Sequence, residues 1–420
     1  MIRLFFGLAA GFMVIGVPIA VTIGFASAIY IIKSGMPVQM VIQRLFAGID
    51  SSALMAIPFF ILAGDLMNRG GLAGRIVNLA NVFVGRSTGG LAIVAILGCM
   101  FFAAISGSGV ATAAAMGAVM IPAMMAKGYD RAFATSVVAA GSPIGVIIPP
   151  SISFIIYGVL AQCSITDLYK AGIPAGIIMG LALIITAVVI CRRKGYKGDE
   201  GHFSAREAGR ATMNAAWALG TPGILIGGVF GGIFTPTESA VVAVVYSIFV
   251  GMVIYKDLSL KDLPGVFLGA GKTAAKIMFI ISCATLFVYV ITYNRIPQMI
   301  TDSFLTISDN KIVILLIINV ILLIAGTFME TGAILLITVP LFLPVVLRMG
   351  IDPVHFGIII TVNTAIGLLT PPFGVCLFTA ASVGQVPVQS LARRIMIFLV
   401  AQLVALMLIT YVPSLIMFMV

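Results

Sequence analysis

Apolar residues dominate the composition of this 420-residue chain: 61% of its residues are hydrophobic and only 9% are charged. Soluble domains carry about 25% charged residues, so the composition excludes a soluble globular protein. The apolar runs are long and continuous, which excludes an outer-membrane barrel and predicts an all-α polytopic membrane protein. The net charge of +10 is explained by basic cytoplasmic loops, and nothing points to nucleic-acid binding.

The apolar segments predict the order of the helices. The first run, 4–32, is too long for a cleaved signal peptide and is interpreted as a mature helix. The later segments are 51–68, 89–105, 110–126, 131–162, 170–191, 218–234, 237–255, 265–293, 312–327, 333–347, 354–385 and 395–418. A membrane span needs about 20 residues. The short pairs that meet at SGSG and GTFMETG are therefore predicted to be re-entrant hairpins.

Three segments are too polar to be ordinary spans. The stretch 192–210, RRKGYKGDEGHFSAREAGR, is predicted to be cytoplasmic, and residues 192–217 are assigned to a loop and a connecting helix. Residues 69–86 and 295–311 carry charges at intervals and are predicted to be amphipathic arms at the membrane surface. A short spanning helix remains the alternative for each arm.

Basic residues set the predicted orientation, because cytoplasmic loops carry an excess of lysine and arginine. The residues placed inside are Arg3, Arg69, Arg75, Arg86, Lys127, Arg131, the 192–210 cluster, Lys256, Lys261, Arg393 and Arg394. The smaller outside set is Lys33, Arg44, Lys170, Arg295, Lys311 and Arg348. This bias predicts a cytoplasmic N-terminus, a periplasmic C-terminus, and hairpins that enter from opposite faces.

The two halves of the chain carry the same breaks. GSPIGVIIPP (141–150) and NTAIGLLTPP (363–372) place Ile-Gly and Pro-Pro in the same order inside apolar runs. A shift of 222 positions, from 149 to 371, aligns them without a gap and also aligns the hairpin tips 106–109 and 328–331. Because the charge bias orients the copies oppositely, the sequence predicts an inverted repeat with two hairpins and two broken helices.

The repeat divides the chain into two predicted units joined by 192–217. The first unit, 1–191, has scaffold helices in 4–68 and 170–191, arm 69–86, hairpin 89–126 and broken helix 131–162. The second unit, 218–420, has an extra helix 218–234, scaffold helices in 237–293 and 395–418, arm 295–311, hairpin 312–347 and broken helix 354–385.

The breaks predict cation sites. Proline lacks an N–H and frees a carbonyl one turn earlier, and an unsatisfied carbonyl is costly inside a membrane. Na⁺ is a hard cation that takes oxygen ligands. The candidate Na⁺ residues are Ser106, Ser108, Gly141, Ser142, Gly145 and Pro149 in the first half and Glu330, Thr331, Asn363, Thr364, Gly367 and Pro371 in the second.

The hairpin tips predict a site for an anionic substrate. Helix N-termini at each tip direct positive dipole towards an anion, and transporters with broken helices bind substrate near the midplane. The candidate substrate contacts are Ser106, Gly107, Ser108, Gly109, Met329, Glu330, Thr331 and Gly332. A single SGSG or Pro-Pro is also typical of helix packing or a kink. The recurrence of both at one offset is what favours a site.

Among the acidic residues, Glu330 lies deepest in an apolar environment. Two roles remain possible for Glu330: it contacts an ion or the substrate directly, or it caps the N-terminus of the following helix. Asp65 and Glu238 are interpreted as structural, and neither His202 nor His355 is placed to relay protons.

Five motifs taken together resemble one family. They are PFFILAGDLMNRGGL (58–72), the SGSG tip, IIPPSI (147–152), GIFTPTE (232–238) and LLTPPFG (368–374). Their order and their spread over the whole chain are similar to the large membrane subunit (M subunit, DctM-like) of tripartite ATP-independent periplasmic (TRAP) transporters.

This resemblance implies an elevator-type fold and Na⁺-driven uptake of an organic anion across the bacterial inner membrane. It implies two partners besides membrane lipid: a four-helix small membrane subunit (Q-type) and a periplasmic substrate-binding protein. Because the sequence reaches an apolar run at Leu4, the small subunit is expected to be a separate chain. Sialic acid, a four-carbon dicarboxylate or a related sugar acid would fit the family, and no motif selects among them.

Two other classes of membrane protein, an enzyme and a channel, fit the sequence less well than a transporter does. An intramembrane enzyme would need paired aspartates or a His/Glu metal motif, which the apolar segments lack. A channel fits paired inverted hairpins less well than alternating access does. The nearest alternative is an Na⁺-coupled carboxylate symporter of elevator type that works without a binding protein.

Overall fold

The computed structural model describes residues 1–196, 198 and 204–420, and every regular element within these ranges is helical. Seven of these helices are long and apolar enough to cross a membrane, by length and composition. The prediction of an all-helical, multi-pass membrane protein is confirmed. The prediction for His202 lies outside the described residues.

The helices follow one another with short connections. In chain order they are α1 (Ile2–Val14), α2 (Ile19–Lys33), α3 (Gln39–Ala47), α4 (Ala56–Arg69), α5 (Leu72–Val84), α6 (Gly90–Ser106), α7 (Gly109–Ala126), α8 (Arg131–Gly141), α9 (Ile152–Ala161), α10 (Ile165–Lys194), α11 (Ala205–Phe230), α12 (Pro236–Phe249), α13 (Leu263–Tyr293), α14 (Ile296–Ile307), α15 (Lys311–Gly326), α16 (Thr331–Arg348), α17 (Pro353–Gly367), α18 (Val375–Gly384), α19 (Val388–Tyr411) and α20 (Ser414–Met417). A 3₁₀ turn, Ser142–Val146, follows α8, and a π turn, Val250–Ile254, extends α12.

The single helix predicted over 4–32 is wrong, because the chain forms α1 and α2 there. Gly16 adopts a left-handed φ of 81°, and Pro18 stands at the N-cap of α2. A proline cannot donate the hydrogen bond that a continuous helix needs. The break could not be predicted from apolar composition, because α1 and α2 are equally hydrophobic.

The short helix α3 was not predicted. Its segment contains Pro37 and is too polar for a span, yet it folds against α13, where the Arg44 guanidinium lies 4.5 Å from the centre of the Tyr289 ring. The next helix, α4, begins at Ala56, later than the predicted segment 51–68.

The predicted boundary at 218 is also wrong, since α11 is continuous from Ala205 to Phe230. The Ser204 hydroxyl caps it by accepting from the Glu207 N–H at 3.4 Å. Its first half buries small side chains at helical spacing, namely Ala208, Ala211, Ala215 and Ala218. Alanine is the strongest helix former, so this spacing was the missed signal.

The repeat in the sequence is also a repeat of helices. Helices α7 and α16 begin and end 222 residues apart, and α8 and α17 begin 222 residues apart. Asp130 and Asp352 cap the latter two helices through side-chain oxygens. The Pro149–Pro150 and Pro371–Pro372 peptide bonds, one in each break, are both cis.

Helices of each repeat also pack against helices of the other repeat. Helix α7 packs against α18 and α16 against α9, so each hairpin lies on the broken helix of the other repeat. Helix α8 packs against α19 and α17 against α10 in the same crossed manner. An ion pair of 2.6 Å between Arg394 and Asp130 also joins the repeats. The hairpins and broken helices therefore form one packed group, called here the hairpin group (α6–α9 and α15–α18).

A second set of helices, α1–α4 and α11–α13, packs mainly within itself and is called here the scaffold group. The sequence predicts that 170–191 and 395–418 belong to the scaffold. The corresponding helices α10 and α19 instead pack against each other and against α6, α8 and α17. This packing places α10 and α19 beside the hairpin group. The sequence of an unbroken apolar helix does not indicate which group the helix joins.

Candidate functional site

A cavity of about 520 Å³ lies where the two hairpin tips approach α4 and α13. Small-molecule sites in proteins usually enclose about 300–1,000 Å³. Residues 106–109 of the first tip and 330–332 of the second both line it. The structure thus brings together the candidate substrate contacts from two distant segments, with the exception of Met329, which is outside the lining.

The first tip is held by glycine and serine. Helix α6 ends at Ser106, and Gly107 follows with a left-handed φ of 59°, a conformation that side chains disfavour. The Ser108 hydroxyl then caps α7 by accepting from the Ala111 N–H at 3.4 Å. The N-terminus of α7 is therefore directed at the cavity that Ser108 lines.

Thr112 completes the polar cluster at the first tip, although it is not among the residues predicted from the sequence. Its hydroxyl donates to the Ser108 carbonyl at 2.8 Å and lies 3.1 Å from the Ser106 hydroxyl. Thr112 stands four residues after Ser108, on the same helical face, which was the available signal. It is fully buried.

The first break lies directly against this tip. A Cβ at Gly145 would stand 2.5 Å from the Thr112 Oγ1 and 2.8 Å from the Ser108 carbonyl oxygen. A Cβ at Gly107 would stand 2.7 Å from the Pro150 carbonyl oxygen. Both glycines are needed because the backbones approach without room for a side chain. Several oxygen atoms are concentrated here as a result.

Some of the residues predicted to bind Na⁺ in the first half lie away from the polar cluster of Ser106, Ser108 and Thr112. Gly141 lies against Cys99 of α6, with 3.0 Å from its Cβ position to the sulfur. The Ser142 hydroxyl donates to the Ala139 carbonyl at 2.9 Å, within its own helix. The Ser142 carbonyl oxygen, by contrast, lies 3.3 Å from the Cβ position of Gly109 at the tip. Pro149 is buried in the break.

The second tip presents an acid to the cavity. Glu330 occupies the N-cap position of α16, but its carboxylate makes no capping hydrogen bond. It lines the cavity together with Thr331. The Thr331 side chain is buried, and its hydroxyl has no hydrogen-bond partner. Glu330 thus stands at the N-cap position of α16 without capping it through its side chain, and it is among the residues that line the cavity.

The second break is organised by two buried amides. Asn363 Nδ2 donates to Asn319 Oδ1 at 2.8 Å and to the Asn319 carbonyl at 3.0 Å. Asn319 Nδ2 donates in turn to the Thr410 hydroxyl at 3.2 Å. This leaves Asn363 Oδ1 as a buried oxygen without a hydrogen-bond partner. Asn319 was not singled out from the sequence, because it lies alone in an apolar run.

The other predicted residues of the second break have different roles. Gly367 packs on Gly326, and a Cβ at Gly326 would stand 2.7 Å from the Gly367 Cα. The Thr364 hydroxyl donates to the Ile360 carbonyl at 2.8 Å within α17. Pro371 is half-buried at the Pro-Pro step. The two halves therefore share a backbone plan and differ in side-chain chemistry.

The scaffold group supplies the opposite wall of the cavity. Asp65 and Asn68 lie three residues apart on α4, and Thr273 lies on α13. Gly64 allows this approach, since its Cβ position is 3.2 Å from the Ser106 Cα. Asp65, which the sequence analysis interprets as structural, is among the residues that line the cavity. Among the described lining residues, none is lysine, arginine or histidine.

Glu238 does have the structural role predicted for it. It forms a capping box with Thr235, whose hydroxyl accepts from the Glu238 N–H while the Glu238 carboxylate accepts from the Thr235 N–H at 2.8 Å. His355 is buried, with its Nε2 2.9 Å from the Ile409 carbonyl oxygen. Neither residue lines the cavity.

The fold and the cavity define a helical membrane transport protein built on a repeated hairpin and broken helix. Residues 6–415 match the model of the tripartite ATP-independent periplasmic transporter, DctM component, and the chain belongs to that family. The resemblance seen in the sequence is confirmed.

Three relatives illustrate the range of the family. The chain is 44% identical over 98% of its length to the isethionate TRAP transporter permease protein DctMQ of Oleidesulfovibrio alaskensis, and it spans 65% of that protein. It is 41% identical to the C4-dicarboxylate TRAP transporter large permease protein DctM of Pseudomonas aeruginosa, covering 88% of this chain and 87% of that one. It is 38% identical to the sialic acid TRAP transporter large permease protein SiaM of Vibrio cholerae, covering 96% and 95%.

The fold also resembles a solved structure. The YdaH transporter of Alcanivorax borkumensis matches with a TM-score of 0.65, covering 89% of this chain and 87% of that one. At 15% identity this likeness concerns the fold alone.

The contact between Gly145 and the first tip can be tested by substitution. We expect Gly145→Ala to destabilise the protein by about 1–3 kcal/mol, because the new methyl group would overlap the Ser108 carbonyl and the Thr112 hydroxyl. The matched control is Gly223→Ala in α11, where no atom lies within 4 Å of the Cβ position. The midpoint of thermal unfolding of the purified protein measures both. Equal midpoints for the two variants would contradict the close packing.

Proposed function

We propose that this chain is the transport-pathway subunit of a TRAP system that takes up a small organic anion across the bacterial inner membrane with Na⁺. The observation that carries the proposal is the cavity that both repeat-related hairpin tips line. Membership of the DctM family supports it, as do the organic anions in the printed names of three relatives.

Na⁺ fits the oxygen atoms at the two breaks, because hard cations prefer oxygen ligands. In the first half, the Thr112 and Ser106 hydroxyls and the Ser108 carbonyl converge beside Gly145. In the second half, Asn363 Oδ1 is buried without a hydrogen-bond partner. Bound Na⁺ would supply the positive charge that the described cavity lining lacks.

The substrate is proposed to bind between the tips. The N-terminus of α7 offers backbone N–H groups and positive dipole to an anionic group. Ser106 and Ser108 of the first tip and Thr331 of the second are hydroxyl-bearing residues that line the same cavity. Because no basic side chain is present among the described lining residues, the affinity for an anion should depend on Na⁺.

The proposed motion is that of an elevator, in which the hairpin group moves against the scaffold group and the hairpins are re-entrant. The first arm, α5, is tied to the scaffold side: the Arg75 guanidinium lies 2.7 Å from the Asp257 carboxylate and 3.8 Å from the centre of the Tyr255 ring. The second arm, α14, is tied to the hairpin, through an ion pair of 3.1 Å between Arg348 and Asp302.

The ends of the arms suit this role. Gly71, before α5, has a left-handed φ of 70°, and Arg295, before α14, has one of 56°. Left-handed residues change the chain direction sharply, and hinges in moving domains lie at such element ends. The arms would then bend at the membrane surface while their packed faces stay intact.

A small membrane subunit and a periplasmic binding protein complete the proposed system, with the N-terminus of the permease in the cytoplasm. We expect proteoliposomes that contain permease and small subunit to accumulate substrate only with an inward Na⁺ gradient and added binding protein, without ATP. Uptake that needs Na⁺ but no binding protein would support the alternative, a binding-protein-independent Na⁺/carboxylate symporter. Uptake that follows only the substrate gradient would indicate a channel and contradict coupling.

The first cation site can be tested at Thr112. We expect Thr112→Val to raise the Na⁺ concentration for half-maximal uptake about tenfold, because it removes an oxygen ligand while keeping the shape of the side chain. Thr135→Val is the matched control, since that hydroxyl is also buried and donates to a carbonyl four residues earlier, that of Arg131, at 2.8 Å. Thr112→Ser should restore the wild-type value. The same Na⁺ dependence in both valine variants would contradict this site.

The motion can be tested by crosslinking the two groups. Cysteines introduced at facing positions of α4 and α6, near the contact of Gly64 with Ser106, would fix the first hairpin to the scaffold. We expect oxidation to abolish uptake and reduction to restore it, while thermal unfolding shows a folded protein throughout. Single-cysteine variants under the same oxidant serve as controls. Full uptake in the crosslinked form would rule out the elevator and favour a local gate.

A further inference from the structure

The two helix N-termini that face the cavity are not chemically equivalent. Ser108 caps α7 and Glu330 holds the N-cap position of α16, and the 222-residue repeat makes these two positions counterparts. Both residues line the cavity. The first N-terminus thus presents a neutral hydroxyl, and the second presents a carboxylate.

This difference leaves one N-terminus open to an anion. A carboxylate at a helix N-terminus already complements the positive end of the dipole. A second anion placed there would meet the charge of Glu330 at close range, and like charges brought together cost several kcal/mol. Beside Glu330, Thr331 lines the cavity, and its buried hydroxyl has no hydrogen-bond partner in the protein.

The scaffold wall adds a second negative charge. Asp65 lines the cavity from α4, and Asn68 lines it one turn later. Carboxylates accept hydrogen bonds from hydroxyl, amide or ammonium groups. This wall therefore suits a ligand end that is neutral or donates hydrogen bonds, and it disfavours a second carboxylate or sulfonate.

We propose that Glu330 and Asp65 make this permease selective for organic acids with a single negative charge. The anionic group lies at the N-terminus of α7, and a neutral, donor-bearing end faces Glu330, Asp65 and Asn68. This inference rests on the proposed function, which assigns the cavity to the substrate. It also goes beyond similarity, because the named relatives include permeases for the singly charged isethionate and for doubly charged C4-dicarboxylates.

A matched pair of ligands tests the charge of the far end. Succinate and its half-amide, succinamate, share one carbon skeleton and differ at neutral pH by one negative charge and by an amide donor. The purified full-length permease is titrated with each ligand in Na⁺ buffer at constant ionic strength. The shift of its unfolding temperature with ligand concentration yields the two affinities. We expect succinamate to bind about tenfold more tightly than succinate.

Substitutions of Glu330 and Asp65 then test whether these two residues cause the preference for succinamate over succinate. Glu330→Ser, which copies the residue at the first tip, and Asp65→Asn should each reduce the ratio of the two affinities at least about threefold, chiefly by improving succinate. Glu330→Gln serves the same purpose if the serine variant is unstable. Asp309→Asn is the control, because Asp309 is an acid outside the cavity lining, and it should leave the ratio unchanged. Weaker Na⁺ binding in a variant would weaken succinate more than succinamate and raise the ratio, so a reduced ratio cannot come from a loss of Na⁺.

Three outcomes would overturn the inference. One is wild-type protein that binds succinate as tightly as succinamate. Another is a tenfold preference that neither Glu330→Ser nor Asp65→Asn reduces. The third is the absence of Na⁺-dependent binding by either ligand or by isethionate, which would overturn the substrate cavity of the proposed function together with this inference. The first two outcomes leave the proposed function intact.

Discussion

The fold depends on one constraint: polar backbone groups at a helix break inside a membrane must find partners within the protein. At the first break Gln402 of α19 donates to the Ala140 carbonyl at 2.9 Å, and Gly145 packs against the Ser108 carbonyl and the Thr112 hydroxyl of the hairpin tip. At the second break Gly367 lies against Gly326 at the end of α15. Each break therefore packs closely against a hairpin, and glycine at the contact makes room for that approach. Both features recur at the same offset in the sequence.

Much of this plan was accessible from the sequence, because breaks leave a signature in residue type. Glycine and proline revealed the repeat, and α7 and α16 carry it without a change in length. The errors arose where partners are chosen by packing. The placement of α10 and α19 depends on contacts between distant segments, whereas the division of 4–32 into α1 and α2 follows from the local residues Gly16 and Pro18. Thr112 and Asn319 are not singled out by the sequence, and Asp65 is interpreted from it as structural, because each gains its importance only from the residues around it.

The two repeats solve the same structural problem with different side chains. The first tip and break use hydroxyls and close backbone contacts around Ser106, Ser108 and Thr112. The second uses the amide pair of Asn319 and Asn363 and an acid at the tip, Glu330. A backbone repeat keeps the two helix ends pointing into one cavity. Divergence of the side chains then makes the two ends unequal, which gives a bound ligand a preferred direction.

The cavity wall belongs to two packed groups, and this would link ligand recognition to the proposed movement. Ser108, Glu330 and Thr331 lie on the hairpin group, whereas Asp65 and Asn68 lie on the scaffold group. If the hairpin group slides, the tips keep their ligand contacts and lose those made by α4. The negative charge of Asp65 would then act on a ligand only in the arrangement seen here. A carboxylate on the fixed wall can therefore favour release or entry of an anion on one side of the membrane, while the tips supply contacts that persist through the cycle.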